Sequence, residues 1–231
     1  MKIALIGHGV MGRLIENLAY DDNHEIIEII DERDANLSVN ELAEKLKIAD
    51  VAIDFSTAEA VRRNVEACLL AKVPLVEGTT GWNSELESIK KLVEESDGAF
   101  IFGANFSVGV NIFYRIVSQA SELFAKFPDY EPFIEEQHHS RKKDAPSGTA
   151  LKLKALVEEK VSREFSVSST RAGNIPGTHI VGFDGLADQI CLTHVARTRE
   201  GFASGAIVAA KWIVDKKGFW EFTQMMDEMF K

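Results

Sequence analysis

Two stretches of this chain hold reactive residue types at spacings that chemistry can use. The first is Gly7-His8-Gly9-Val10-Met11-Gly12, a Gly-x-Gly-x-x-Gly set between an apolar run and a helical pattern. Backbone without side chains turns tightly there and comes close to a pyrophosphate, while the first N–H groups of the helix face the anion. Asp31 closes the next apolar run, near the position about 20 residues on where a carboxylate holds ribose hydroxyls. The second stretch runs from Glu135 through His138-His139-Ser140-Arg141-Lys142-Lys143-Asp144 to Pro146-Ser147-Gly148-Thr149. Two imidazoles and three consecutive cations stand here before a turn that opens a helix.

That turn makes the second stretch more than a solvated basic loop. Pro146 suits the first turn of a helix, where its missing N–H does no harm. Ser147, Gly148 and Thr149 then offer backbone donors at the positive helix end, with a hydroxyl beside them, an arrangement that binds carboxylate or phosphate. A small dianion satisfies the donors, the cations and the imidazoles together. A metal ion is the rival ligand. If His138 and His139 lie on a strand, their side chains point to opposite faces and do not chelate one ion, so no metal is expected.

The charges around the glycine loop bear on the cofactor. Asp31 and Glu32 repel a 2′-phosphate and favour NADH, whereas Arg33 and Arg13 can pair with that phosphate and admit NADPH. Both nucleotides stay open, with NADH slightly favoured.

The elements that must position these residues follow from periodicity. Apolar runs at 3–6, 26–30, 51–55, 75–76 and 99–102 read as buried parallel strands. Helical patterns at 13–20, 39–47, 59–71 and 84–95 lie between them. This alternation predicts an α/β class with a Rossmann-type, doubly wound parallel sheet. Beyond Asn105 the pattern changes to a helix at 112–127, an extended stretch at 132–139 and a helix at 150–159, then strands at 165–171, 178–183 and 189–196. These predict a smaller α+β domain with a mixed or antiparallel sheet. Helical segments at 205–214 and 220–229 are expected to return to the first domain. The expected domains are therefore 1–107 with 200–231 for the dinucleotide, and 108–199 for substrate and oligomerisation.

Bulk properties exclude other classes. With 45% hydrophobic and 27% charged residues among 231, the composition is that of a globular protein. A net charge of -10 argues against nucleic acid and acidic lipid as partners. No apolar run approaches the roughly 20 residues of a membrane span. Cys68 and Cys191 are expected to be small buried hydrophobes in a reducing cytoplasm.

The block His138-His139-x-x-Lys142-x-Asp144-Ala145-Pro146-Ser147-Gly148-Thr149-Ala150 resembles the signature of the 4-hydroxy-tetrahydrodipicolinate (dihydrodipicolinate) reductase family. The likeness continues through Asp54-Phe55-Ser56, Gly78-Thr79-Thr80-Gly81, Asn105-Phe106-Ser107-Val108-Gly109-Val110-Asn111, Arg171-x-Gly173-x-x-x-Gly177-x-His179 and Phe202-Ala203-x-Gly205-Ala206. It implies reduction of 4-hydroxy-tetrahydrodipicolinate to tetrahydrodipicolinate with NAD(P)H and loss of water, in lysine biosynthesis via diaminopimelate. His138 and Lys142 match the family's catalytic acid–base pair, and His139, Gly148 and Thr149 match its substrate-carboxylate contacts. Gly78, Thr79 and Thr80, with Gly103, Ala104, Asn105 and Phe106, match loops that touch the nicotinamide end of the cofactor. A cytoplasmic homotetramer is implied as well.

Two departures stand out. Many members have a glycine loop one residue longer, and this chain has little between Val161 and Arg171. Another small-molecule dehydrogenase on a similar scaffold, such as an amino-acid dehydrogenase, would keep the glycine loop but has no use for the His-His-x-x-Lys and Pro-Ser-Gly-Thr pairing. A non-catalytic dinucleotide sensor would have no use for His138 and Lys142.

Overall fold

The computed structural model describes residues 1–231. In chain order the elements begin with β1 (Lys2–Ile6), α1 (Val10–Asp21), β2 (Glu25–Ile30), α2 (Val39–Leu46), β3 (Val51–Asp54), α3 (Val61–Ala71), β4 (Leu75–Glu77), α4 (Leu86–Glu95) and β5 (Ala99–Phe102). Next come α5 (Val108–Phe124), β6 (Glu131–His138), α6 (Gly148–Lys160), β7 (Ser166–Arg171), β8 (Thr178–Asp184) and β9 (Gln189–Val195). The chain closes with α7 (Glu200–Ile213), β10 (Gly218–Glu221) and α8 (Phe222–Met229). It divides into two compact units, Met1–Val108 with Arg199–Lys231, and Gly109–Thr198.

The first unit is built on a six-stranded sheet in the order β10-β5-β4-β3-β1-β2, with every neighbouring pair parallel. Strands β3 and β4 are buried along their whole length, so each reads as a continuous apolar run, closed by Asp54 or Glu77, rather than an alternating one. Ile15 and Ala19 of α1 and Ala203, Ala206 and Ala210 of α7 close one core. Leu42, Val65, Val93 and Trp82 close a second core around α2, α3 and α4. The order reverses between β1 and β3, the switch point where the carboxyl ends of an open sheet leave a crevice.

The segment 220–229, expected to be helical throughout, is not. Gly218–Glu221 is a strand paired parallel with β5, and the helix starts at Phe222. The edge of β5 decides this, because Phe219 stacks on Phe100 with ring centroids 5.1 Å apart. Such a pair contributes about 0.5–1.5 kcal/mol beyond its buried area.

The second unit holds a mixed sheet ordered β7-β6-β8-β9. β6 runs parallel to β7 and antiparallel to β8. Ile134, Val181 and Phe183 face α5 and α6 in one core. Cys68 is buried as expected, but Cys191 is exposed. It alternates with Leu192 along β9, and Leu192 takes the core side. No helix is long and apolar enough to cross a membrane.

Candidate active site

In the first unit, β1 ends directly before Gly7, whose φ of +87° favours glycine. A Cβ at Gly7 would lie 2.3 Å from the Phe55 carbonyl oxygen, and one at Gly12 would lie 2.2 Å from the Gly7 carbonyl oxygen. Both glycines are therefore demanded by the fold of the turn. Gly9, the residue before α1, has no protein atom within 4 Å of where a Cβ would stand. The crossing of β1 and β3 thus leaves bare backbone at a helix start, which fits a dinucleotide pyrophosphate. His8 turns back to Glu16, with Nε2 2.7 Å from the carboxylate.

Two cavities follow this edge of the sheet. One of about 700 Å³ is lined by Gly7, His8, Arg13, Asp31, Arg33 and Arg63 among others. The other, of about 330 Å³, is lined by Val10, Met11, Ser56, Thr57, Gly78 and Thr80 among others. Gly9, Phe55, Ser56 and Thr57 border both. Asp31 does not present a free carboxylate, because Arg33 donates from Nε at 2.9 Å and from a terminal nitrogen at 2.8 Å. These side-chain bonds, with the Arg33 backbone N–H, hold the Asp31 carboxyl down at about 2.

Thr79 follows β4, with its N–H donating to Glu77 at 2.7 Å. Gly103 follows β5 and is buried, Ala104 is exposed, and Asn105 accepts from the Ser107 N–H at 2.9 Å. The Phe106 ring is core, 2% exposed and packed on Phe55 and Phe222. The Phe106 carbonyl packs against α7, where a Cβ at Gly205 would lie 1.7 Å from the oxygen.

In the second unit the β6 register assembles the chemistry. Glu136 and His138 share a face of the strand at i and i+2. His179 of β8 lies directly opposite Glu136, and Arg171 of β7 lies beside His138. The Glu136 carboxylate meets His138 Nδ1 with one oxygen and Arg171 with the other, at 2.6 Å. Burial opposes its ionisation, but hydrogen bonds from Arg171, Ser169 and His138 outweigh that and bring Glu136 down to about 2. A carboxylate on Nδ1 makes Nδ1 the donor and leaves Nε2 to exchange a proton. Burial pulls His138 below the ordinary imidazole value, against the opposing pull of Glu136. His179 falls to about 4, first through burial and then through repulsion by His138 and His194.

Lys142 pairs with Asp144 at 2.8 Å, and His139 is half-buried with no protein partner at Nδ1. Pro146 does not enter α6, which starts at Gly148 with Ser147 as its cap. The Ser147 hydroxyl accepts from the Ala150 N–H at 3.2 Å and pairs with His179 Nε2 at 3.1 Å. Ser147 is 2% exposed, and its hydroxyl caps α6. Gly148 and Thr149 form the first turn, where N–H groups have no acceptor within the helix. The Thr149 side chain is hydrogen-bonded to Tyr114.

Glu136, Arg171 and His179 went unassigned in the reading of single residues. The spacing of Glu136 and His138 on an extended stretch is the signal that finds the first of them. Glu136, His138 and His179 also bring possible metal-ligand atoms within 4.8 Å of one another. The strand register thus sets His138 beside His179 rather than His139.

Comparison with known proteins agrees with this architecture. Residues 1–106 match the family model for the N-terminus of dihydrodipicolinate reductase, and residues 109–227 match that for its C-terminus. A 4-hydroxy-tetrahydrodipicolinate reductase of Christiangramia forsetii is 36% identical over 243 residues, covering 100% of both chains. One of Archaeoglobus fulgidus is 37% identical over 262 residues, covering 98% of this chain and 100% of its own. A solved dipicolinate-bound dihydrodipicolinate reductase from Paenisporosarcina sp. TG-14 superimposes with a TM-score of 0.79 at 25% identity, covering 97% of this chain and 99% of its own. The chain belongs to the dihydrodipicolinate reductase family.

Proposed function

We propose that this chain reduces 4-hydroxy-tetrahydrodipicolinate to tetrahydrodipicolinate with loss of water, in lysine and diaminopimelate biosynthesis. A pyridine nucleotide supplies the hydride when bound. The reading is carried by one observation, the buried His138 held at Nδ1 by Glu136 on the strand that leads into the start of α6. In it, the N–H groups of Gly148 and Thr149 and the His139 ring bind the substrate carboxylates. His138 Nε2 and Lys142 Nζ deliver the proton that must reach ring C3 once C4 is reduced. A positioned donor of this kind contributes roughly 10²–10⁴-fold. The trio Glu136, His138 and His179 serves proton handling rather than a metal, since Arg171 already neutralises Glu136.

The first unit binds the cofactor. Gly7 to Gly12 take the pyrophosphate, Asp31 the adenosine ribose, and Gly78 to Thr80 with Gly103 to Phe106 the nicotinamide end. NADH is preferred modestly, because Asp31 and Glu32 stand at the ribose, while Arg33 keeps NADPH usable. We assign the enzyme to the cytoplasm, where nicotinamide nucleotides turn over, and to a homotetramer. The outward residues of β9, Cys191, Thr193 and Val195, are exposed and provide a face for self-association.

The test is a coupled assay with substrate made by the upstream synthase and NADH or NADPH followed by absorbance. Oxidation blocked by dipicolinate supports the reading. His138→Gln and Lys142→Ala should each lower kcat by about 10²-fold or more, with smaller changes in KM. Near-wild-type kcat in both overturns the assigned roles.

A further inference from the structure

Two carboxylic acids lie inside the first unit. Asp54 ends β3 and Glu77 ends β4, and the two are direct partners in the parallel register. Both are 0% exposed. Their strand neighbours Ile6 and Phe102 are apolar. From α3, Asn64 donates to Asp54 at 2.7 Å, and the Arg63 guanidinium lies on the Asn64 amide oxygen at 3.2 Å. The other titratable group facing the pair is the buried Cys68 thiol, which burial pushes well up. No cation touches either carboxyl directly.

The hydrogen bonds separate the two acids. Asp54 accepts from the Ser56 N–H at 2.8 Å, from Asn64, and from the Thr79 hydroxyl at 3.4 Å. Glu77 accepts from the Thr79 N–H at 2.7 Å through one oxygen, and no donor reaches the other. Asp54, with the fuller set of donors, carries the charge, and Glu77, with one oxygen unmet and its side chain hydrogen-bonded to Asp54, carries the proton. Burial, and then Asp54 itself, push Glu77 well above the ordinary carboxyl value. Burial raises Asp54 too, against its hydrogen bonds.

Apart from the Asn64 bond from α3, these bonds end in the loops that follow β3 and β4. Ser56 N–H also donates to the Thr79 hydroxyl at 2.9 Å, so the two loops are tied to each other and to the acids beneath them. Ser56, Thr79 and Thr80 line the smaller cavity.

We propose that Asp54 and Glu77 are a positioning pair that shares one proton and fixes the Ser56 and Thr79 loops for the nicotinamide end of the cofactor. The proposal rests on the assignment of that cavity to the cofactor. Loss of the Glu77 proton places two negative charges in register inside the fold, and the loops separate. Cofactor affinity therefore falls as pH rises, although neither acid touches the cofactor.

The experiment measures NADH dissociation constants by fluorescence and unfolding by urea, between pH 6 and 9.5, for wild type, Glu77→Gln and Asp54→Asn. Glutamine keeps the shape and the neutral state of a protonated Glu77. Glu77→Gln is expected to bind NADH as wild type does at pH 6 and to lose the decline at high pH. Asp54→Asn sets its own N–H₂ against the Asn64 donor and should weaken NADH about tenfold or more at pH 6. In stability, wild type should decline as pH rises above the ordinary Glu value, because the folded state holds a proton the unfolded chain releases. That slope should be shallower in Glu77→Gln. Wild-type binding that does not vary with pH, or an unchanged decline in Glu77→Gln, overturns the proposal alone. A wild-type protein that binds neither NADH nor NADPH overturns the cofactor assignment and the proposal with it.

Discussion

His138 is oriented by Glu136, whose carboxylate meets Nδ1 from two residues back on the same strand face. The reverse side of that carboxylate is closed by Arg171. His138 therefore stands at the end of the Glu136–Arg171 ion pair, and its ring cannot flip without breaking the Nδ1 contact with Glu136.

Replacing Glu136 with glutamine keeps the shape and removes the charge. Arg171 is then left without its anion, and breaking a buried pair in this way costs about 3–5 kcal/mol at most. The tautomer of His138 is no longer fixed, so kcat should fall about 10–100-fold with little change in substrate KM. The pH dependence has a definite sign. With its pKa depressed to about 2 from 4.5, Glu136 stabilises the fold above the unfolded value, and that contribution is lost as pH falls between those values. Acid unfolding followed by circular dichroism should show a shallower limb in Glu136→Gln. An identical limb would remove Glu136 from this account.

Burial leaves His138 neutral more readily than an exposed histidine, yet a bound dianion favours the imidazolium. Dipicolinate binding should therefore take up protons near neutral pH. Calorimetry in buffers of different ionisation enthalpy reads this directly, as a buffer-dependent heat of binding. The uptake should fall strongly in His138→Gln, while binding itself persists through the start of α6. Equal uptake in both proteins would move the proton elsewhere.

The sequence made some of this legible and hid the rest for physical reasons. Strands β1 to β5 were readable because buried parallel strands are continuous apolar runs. β10 was not, since Gly218–Glu221 has four residues and runs straight into a helix. Only the edge of β5 identifies it. At the site, the two imidazoles and three cations of residues 138–143 stand out by type, and the family resemblance singles out His138 and Lys142 among them. Arg171, which is 35 positions from Glu136, reached it through the register of β6 on β7, which no local pattern encodes. Ser147 was legible as a helix start, but its hydroxyl looked outward until His179 and Ala150 were seen to hold it.

Gly9 and Gly12 separate folding from ligand binding. Alanine at Gly12 drives a methyl group onto the Gly7 carbonyl, 2.2 Å away, so Gly12→Ala should lower the melting temperature and reduce cofactor binding together. Alanine at Gly9 meets no protein atom within 4 Å. Gly9→Ala should melt with wild type but bind NADH about tenfold or more weakly, because the methyl group occupies the approach of the pyrophosphate. Thermal shift with and without NADH tests both, and a Gly9→Ala protein with wild-type affinity would place the pyrophosphate elsewhere.

The proposed choice between cofactors is expected to rest on Arg33, through a competition for its own charge. In the structure it forks onto Asp31, with its side chain 84% exposed, so it can leave for a 2′-phosphate without crossing the fold. NADH leaves that fork in need of rearrangement only at Asp31, where ribose hydroxyls must replace the guanidinium. Arg33→Ala should therefore raise the KM for NADPH about tenfold, the worth of one charge-assisted hydrogen bond. The KM for NADH should stay level or fall, since Asp31 is released to the ribose. Asp31→Ala should act in the opposite direction, weakening NADH and freeing Arg33 for NADPH. Steady-state kinetics with both nucleotides at low and moderate salt checks the pair, the NADPH effect being the more salt-sensitive of the two. If both variants weaken the two cofactors equally, the fork merely shapes the loop, and discrimination lies with Arg13 or Arg63 in the same cavity.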